Sequence, residues 1–135
     1  MATKPSWIRR GAGLVATLFG AVTIFAGGRI LLGLADAGYY VLRPVLVFNT
    51  VMGAAYVLAG LAAWRSARAG AMSAGVIALL NLGVLVTILA RHTGGGAVAN
   101  ETLAAMTLRT VVWAALFFVL LWEHGRRAAT PPPAG

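Results

Sequence analysis

The chain has 135 residues, of which 60% are hydrophobic and 10% charged, with a formal net charge of +8. An ordinary soluble domain carries roughly 25% charged residues, so this surface needs lipid or a partner around it. There is no cysteine, which excludes disulfides, thiol catalysis and zinc–thiolate sites. The carboxylates are Asp36, Glu101 and Glu123 alone, so paired-acid chemistry has almost no material to work with.

Residues 1–10 carry Lys4, Arg9 and Arg10 and read as a basic flank. Four apolar segments follow, at 11–34, 45–64, 71–90 and 102–122. Each is close to the roughly 20 helical residues that cross a hydrocarbon core of about 30 Å. Backbone groups in lipid must bond within their own segment, so each span is expected to be a helix. β-Barrel strands would be shorter and would alternate polar with apolar residues. The expectation is therefore all-α: an integral membrane four-helix bundle over 11–122, with short connections. The tail, 123–135, contains Pro131-Pro132-Pro133 and no apolar periodicity, and is expected to be disordered.

Basic residues near span ends set orientation. Lys4, Arg9, Arg10, Arg65, Arg68, Arg126 and Arg127 fall on one side, and Arg43 and Arg91 on the other. Both termini are thus expected in the cytoplasm. Trp7, Trp64 and Trp122 fall at that boundary, and Tyr39 and Tyr40 at the opposite one, where amphipathic rings prefer to sit. Basic residues scattered over short loops argue against nucleic-acid binding. Ala35-Asp36-Ala37 has the form of a signal-peptidase site. The preceding apolar run is longer than the 7–15 residues of a signal h-region, which favours a retained first helix.

Arg29 and Arg109 are the charges inside the spans, and an ionised group there is a functional candidate by default. At 1.5 Å per residue, Arg29 lies roughly 7–8 Å and Arg109 roughly 10–11 Å below the outer ends of their spans. Asn49 and Thr87 reach a similar level. The expectation is an outer polar layer in which both arginines face the bundle interior and share acceptors. Asp36 and Glu101 would supply counter-charge; if neither reaches, an external anion takes that place. The simpler reading, ahead of a bound ligand, is snorkelling plus local pairing, with a cation–π contact between Arg109 and Trp113 also feasible. His92, beside Asp36, Asn100 or Glu101, is a weak metal candidate that lacks ligand-like spacing and has Arg91 next to it. Asn81 lies near the midplane, where bonding to a neighbouring helix is the simpler role. Gly53, Tyr56 and Gly60 form one stripe and Ala71 with Gly75 a small-xxx-small pair, both suited to close packing. Asn100 is the expected N-cap of the fourth helix.

The segments Gly27-Gly28-Arg29-Ile30-Leu31-Leu32-Gly33, Phe48-Asn49 with Gly53 to Gly60, and Ala105-Met106-Thr107-Leu108-Arg109-Thr110 before Trp113 resemble uncharacterised four-span bacterial inner-membrane proteins, loosely DoxX-like. The resemblance implies a compact four-helix membrane protein and no particular activity. Small multidrug-resistance transporters are similar in size, but they depend on a glutamate in the first helix, where this chain has only Arg29.

The expected function is a non-catalytic component or interaction subunit of a bacterial inner membrane. Its partners would be the bilayer and either another membrane protein or a second copy, with no cofactor. The alternative is a small transporter or a protein binding an anion or polar headgroup through the arginine layer. A membrane enzyme is the weakest reading, because no acid–base set is visible.

Overall fold

The computed structural model describes residues 6–129. These form four helices: α1 Trp7–Leu31, α2 Arg43–Arg65, α3 Ala67–Thr93 and α4 Asn100–Ala129. Each is long and apolar enough to cross a membrane. The chain is an all-α four-helix bundle, and large apolar side chains on every helix, such as Val22, Leu58, Leu79 and Phe118, point outward.

The helices run past several of the span limits read from apolarity, because local capping, not hydropathy, sets where each one ends. α1 stops at Leu31, three residues before Leu34. Gly33 adopts φ +74°, its N–H donates to the Ile30 carbonyl at 3.1 Å, and Leu34 N–H donates to the Arg29 carbonyl at 2.8 Å. That pair of bonds is a Schellman motif, which needs a left-handed residue after the cap. α3 ends the same way: Gly95 has φ +86°, and Gly95 and Gly96 donate to the His92 and Arg91 carbonyls. Between α2 and α3 a single residue, Ser66, breaks the helix. Its hydroxyl accepts from Ala69 N–H at 3.2 Å, so it caps α3 while closing α2. Asn100 is the first helical residue of α4 rather than its cap; the Ala99 carbonyl accepts the first helical bond, from Leu103.

The expected disorder of the tail needs correction. α4 continues through Ala129, so residues 123–129 are helical; ion pairs from Glu123 to Arg126 and Arg127 at i,i+3 and i,i+4 reinforce that last stretch. Residues 130–135, including the prolines, lie outside the described residues, as does Lys4.

α1 packs closely along α2, and α3 along α4; α2 and α3 join the two hairpins, while α1 and α4 touch over a small area. Apolar helices gain little by leaving apolar lipid, so packing must come from close fit. Glycines supply it in the first hairpin. A Cβ on Gly20 would sit 2.6 Å from the Gly53 carbonyl oxygen, and one on Gly60 would sit 2.8 Å from that of Gly13. At Gly27, Thr50 of α2 fills the space beside the glycine. In the second hairpin Gly75 receives the Phe117 ring. The centre is aromatic, with Tyr56 4.7 Å from Trp113 and 5.6 Å from Phe19 between ring centroids.

This topology gives the bundle two unlike ends. The terminal end gathers Trp7, Arg9, Trp64, Ser66, Trp122 and Glu123, and an Arg9 Nη2 bond to the Trp64 carbonyl at 3.3 Å ties α1 to α2 there. The loop end carries the α1–α2 and α3–α4 connections, with Tyr39 and Tyr40.

Candidate functional site

Of the four residues of the expected layer, two come together and the other two stand apart from them and from each other. Arg109 and Asn49 line one pocket at the loop end, under the α1–α2 connection. Arg29 does not join them. Because α1 ends early, Arg29 is two residues from the helix terminus, roughly 3 Å rather than 7–8 Å from it. Its side chain is exposed, with the guanidinium carbon 5.4 Å from the Phe25 ring centroid. Thr87 is also exposed and donates to the Gly83 carbonyl of its own helix at 2.8 Å, a common use of a threonine hydroxyl within a span. It lies in a separate surface depression with Arg43 and Arg91.

The two expected counter-charges are elsewhere too. Asp36 is exposed and its Oδ1 accepts from Gly38 N–H at 3.0 Å, forming a local turn. Glu101 is exposed in the first turn of α4, eight residues and therefore roughly 12 Å along the helix from Arg109. The third carboxylate, Glu123, is fourteen residues the other way, roughly 21 Å. His92 is exposed, and among the described residues no three His, Asp or Glu side chains converge on a metal-sized site.

Glu123 forms its own centre at the terminal end, one residue past the apolar stretch of α4. It is fully buried. Arg126 Nη2 donates to it at 2.8 Å and Arg127 Nε at 3.0 Å. A hydrogen bond from the Ser6 hydroxyl, opposed by burial and reinforced by Arg127 and Arg126, lowers its pKa to about 2. Ser6 also caps α1 by accepting from Arg9 N–H. The one buried carboxylate is thus held by two arginines of its own helix and by Ser6, which fastens α4 to the start of α1.

Arg109 has no such partner. The ion pairs among the described residues are both on Glu123, and the cation–π contacts involve Arg29 and Arg126 rather than Arg109 with Trp113. The half-buried Arg109 reaches the Tyr56 hydroxyl on its inner side. That hydroxyl donates to Asn81 Oδ1 at 3.2 Å, and both residues are fully buried. An Arg109–Tyr56–Asn81 chain therefore crosses from α4 through α2 to α3. Around it are buried polar atoms without a partner: Arg109 Nε, Trp113 Nε1, Asn81 Nδ2 and Asn49 Oδ1. Three of the four are donors. A half-turn of the Asn49 amide would place its Nδ2 where Oδ1 stands, and those two orientations differ only in which hydrogen bonds they allow.

The pocket beside this chain has a volume of about 140 Å³. Thr23, Thr50 and Thr102 add hydroxyls to its wall, Tyr39 contributes from the connection, and Leu42 and Leu46 are among its apolar residues. A cavity of about 150 Å³ holds one benzene-sized group, so this one suits a single small group and not a drug-sized ligand of the kind that fills 300–1,000 Å³. The sequence marked Arg109 and Asn49 by depth. It left out Tyr56, placed then in a packing stripe, and the three threonines. A phenol and an asparagine on two otherwise uncharged spans were the signal that could have paired them. No protein-family model matches the chain, nor does any curated protein or solved structure.

Proposed function

We propose that this chain is a non-catalytic, multi-pass protein of a bacterial inner membrane, with both termini in the cytoplasm, that binds an oxyanion at Arg109. The carrying observation is a half-buried guanidinium in a pocket that none of the chain's three carboxylates reaches. An unpaired charge at that depth costs several kcal/mol unless water, headgroups or an anion attend it. The guanidinium fork matches carboxylate and phosphate geometry, and the Thr23 and Thr102 hydroxyls and the Asn49 amide can bond the remaining oxygens, whereas the Thr50 hydroxyl donates to the Leu46 carbonyl at 2.8 Å. The wall holds no carboxylate, histidine or activated nucleophile, which supports binding over catalysis. A passage for transport would need polar groups continuing toward the terminal end. There the core is mainly alanine, with Ala12, Ala59, Ala63, Ala71 and Ala74, which favours a binding role over a transporter.

The test is ligand-dependent stability in an uncharged detergent. Inorganic phosphate or ethyl phosphate, compared with chloride at equal ionic strength, should raise the unfolding midpoint of the native chain in a saturable way. The increment should vanish in Arg109→Gln and persist in Arg29→Gln. Equal increments in all three proteins would overturn the reading.

A further inference from the structure

The Arg109 pocket does not end at its polar wall. A second depression, an apolar groove of about 480 Å³, runs along the outside of the bundle between α1 and α4. The two share Thr23, Ala26, Ala105 and Arg109. From there the groove passes Val22, Leu18 and Val15 on α1, with Leu108 on α4. Those α1 positions lie progressively closer to the terminal end, so the groove descends from Arg109 toward the middle of the span. From Ala26 to Val15 is eleven residues, roughly 16 Å of helix.

Two features make this groove different from an ordinary lipid-facing furrow. It lies between α1 and α4, which pack less closely than the pairs α1–α2, α2–α3 and α3–α4, so it opens sideways to the bilayer at the loosest seam between neighbouring helices. It is also continuous, at its upper end, with an unpaired guanidinium. Two other large apolar depressions, one between α3 and α4 beside Gly75 and Phe117 and one between α2 and α3 beside Leu58 and Met72, have no charged residue in their walls. A pocket that takes one small oxyanion, joined to a long apolar slot entered from the membrane, has the shape and charge of an anionic head on a single chain.

We infer that the ligand of the Arg109 site is a single-chain anionic amphiphile, a carboxylate or phosphate monoester on an alkyl chain. It would enter from the outer leaflet between α1 and α4, with its head on Arg109 and Asn49 and its chain along Leu18, Val22 and Leu108. This rests on the oxyanion reading above and adds the source: the anion arrives in the bilayer, not from bulk water. The head replaces the counter-charge that Asp36 and Glu101 do not provide, and the chain covers apolar side chains that stay in an apolar medium throughout. Selectivity for chain-bearing anions then comes from the slot, and the requirement for charge comes from Arg109.

The experiment is an alkyl phosphate series, from ethyl through butyl to hexyl phosphate, titrated into the full chain in an uncharged detergent, with hexanol as the uncharged control. Binding is read from the unfolding midpoint and checked by isothermal calorimetry. Affinity is expected to rise at least tenfold from ethyl to hexyl phosphate, with no saturable response to hexanol. Arg109→Gln should remove binding of the whole series, and Arg109→Lys, which keeps a charge if the glutamine variant does not fold, should retain part of it. Leu18→Ala combined with Leu108→Ala should cut the hexyl advantage at least threefold while leaving ethyl phosphate unchanged. A flat, Arg109-dependent series overturns the amphiphile and leaves the oxyanion site standing. A rising series that ignores the Leu18 and Leu108 changes places the chain elsewhere and also overturns it. No binding by any member overturns both this inference and the oxyanion reading.

Discussion

The Tyr56 hydroxyl donates to Asn81 Oδ1 at 3.2 Å, joining α2 to α3 at a point where neither side chain has any exposed surface. Arg109 of α4 lies beside the same hydroxyl, so a phenol at the centre of the bundle meets side chains of two other helices, one of them the guanidinium. Tyr56→Phe and Asn81→Ala should each destabilise the bundle, and a double-mutant cycle between them should give a coupling of about 0.6 kcal/mol, the average for hydrogen bonds between membrane helices. Reversible unfolding in mixed micelles measures it. Additive effects would mean that the bond contributes nothing to folding. Tyr56→Phe should also weaken oxyanion binding, because Arg109 loses its inner anchor.

The α1–α2 seam tolerates no side chain at its glycines. Gly20→Ala puts a methyl group 2.6 Å from a backbone carbonyl that cannot swing away, and overpacking of this kind costs about 1–3 kcal/mol. Gly28, eight residues on, has nothing within 4 Å of an added Cβ. Gly28→Ala should stay within about 0.5 kcal/mol of the native chain. A comparison of unfolding midpoints checks both, and equal effects would contradict the seam.

Glu123 supplies a pH dependence with a definite sign. Its pKa is lowered to about 2 in the folded chain, below the unfolded carboxylate value. Its stabilisation is therefore complete above the unfolded pKa, near 4.3, and is lost as pH falls toward 2. The native chain should lose stability between pH 6 and pH 3. Glu123→Gln should start about 1–2 kcal/mol lower at pH 7, because hydrogen bonds to a buried charge are lost while the two arginines remain partly hydrated. The gap between the two proteins should then narrow as the pH falls. A constant gap would remove Glu123 as the source.

Orientation follows from charge. Arg9, Arg10, Arg65, Arg68, Arg126 and Arg127 lie toward the terminal end, against Arg29, Arg43 and Arg91 toward the loop end. Reporter fusions at either terminus and near Ser66 should report cytoplasm, and fusions near Gly38 or Gly95 the opposite side. A cytoplasmic signal from the Gly38 fusion would invert the topology and place the Arg109 pocket in the inner leaflet.

Span number and span type were legible because they depend on two strong signals, apolar length and the confinement of charge to the connections. Helix ends were not, because they depend on single residues acting through backbone geometry. Gly33 and Gly95 close their helices by accepting a left-handed conformation, and Gly33 thereby moves Arg29 toward the surface. That shift is why depth counted along the sequence grouped Arg29 with Arg109, whereas the structure separates them. Asn49 and Arg109 line one pocket, but a level counted along the sequence does not say which way a side chain turns. Thr87 has the right depth on the wrong face. Glu123 has no role in the sequence reading beyond being a carboxylate, although Arg126 and Arg127 stand at i+3 and i+4. Its lowered pKa depends most on Ser6, from the far end of the chain, which no local pattern reveals.

The central claim is that an oxyanion occupies the place left by the missing carboxylates at Arg109, and anomalous diffraction locates it most directly. Crystals of the chain soaked in selenate should show an anomalous peak within about 4 Å of the Arg109 guanidinium, on the side facing Asn49 and Thr50, and that peak should be absent from Arg109→Gln. Selenate confined to exposed arginines such as Arg43, Arg91 or Arg68, with water alone beside Arg109, would contradict the claim.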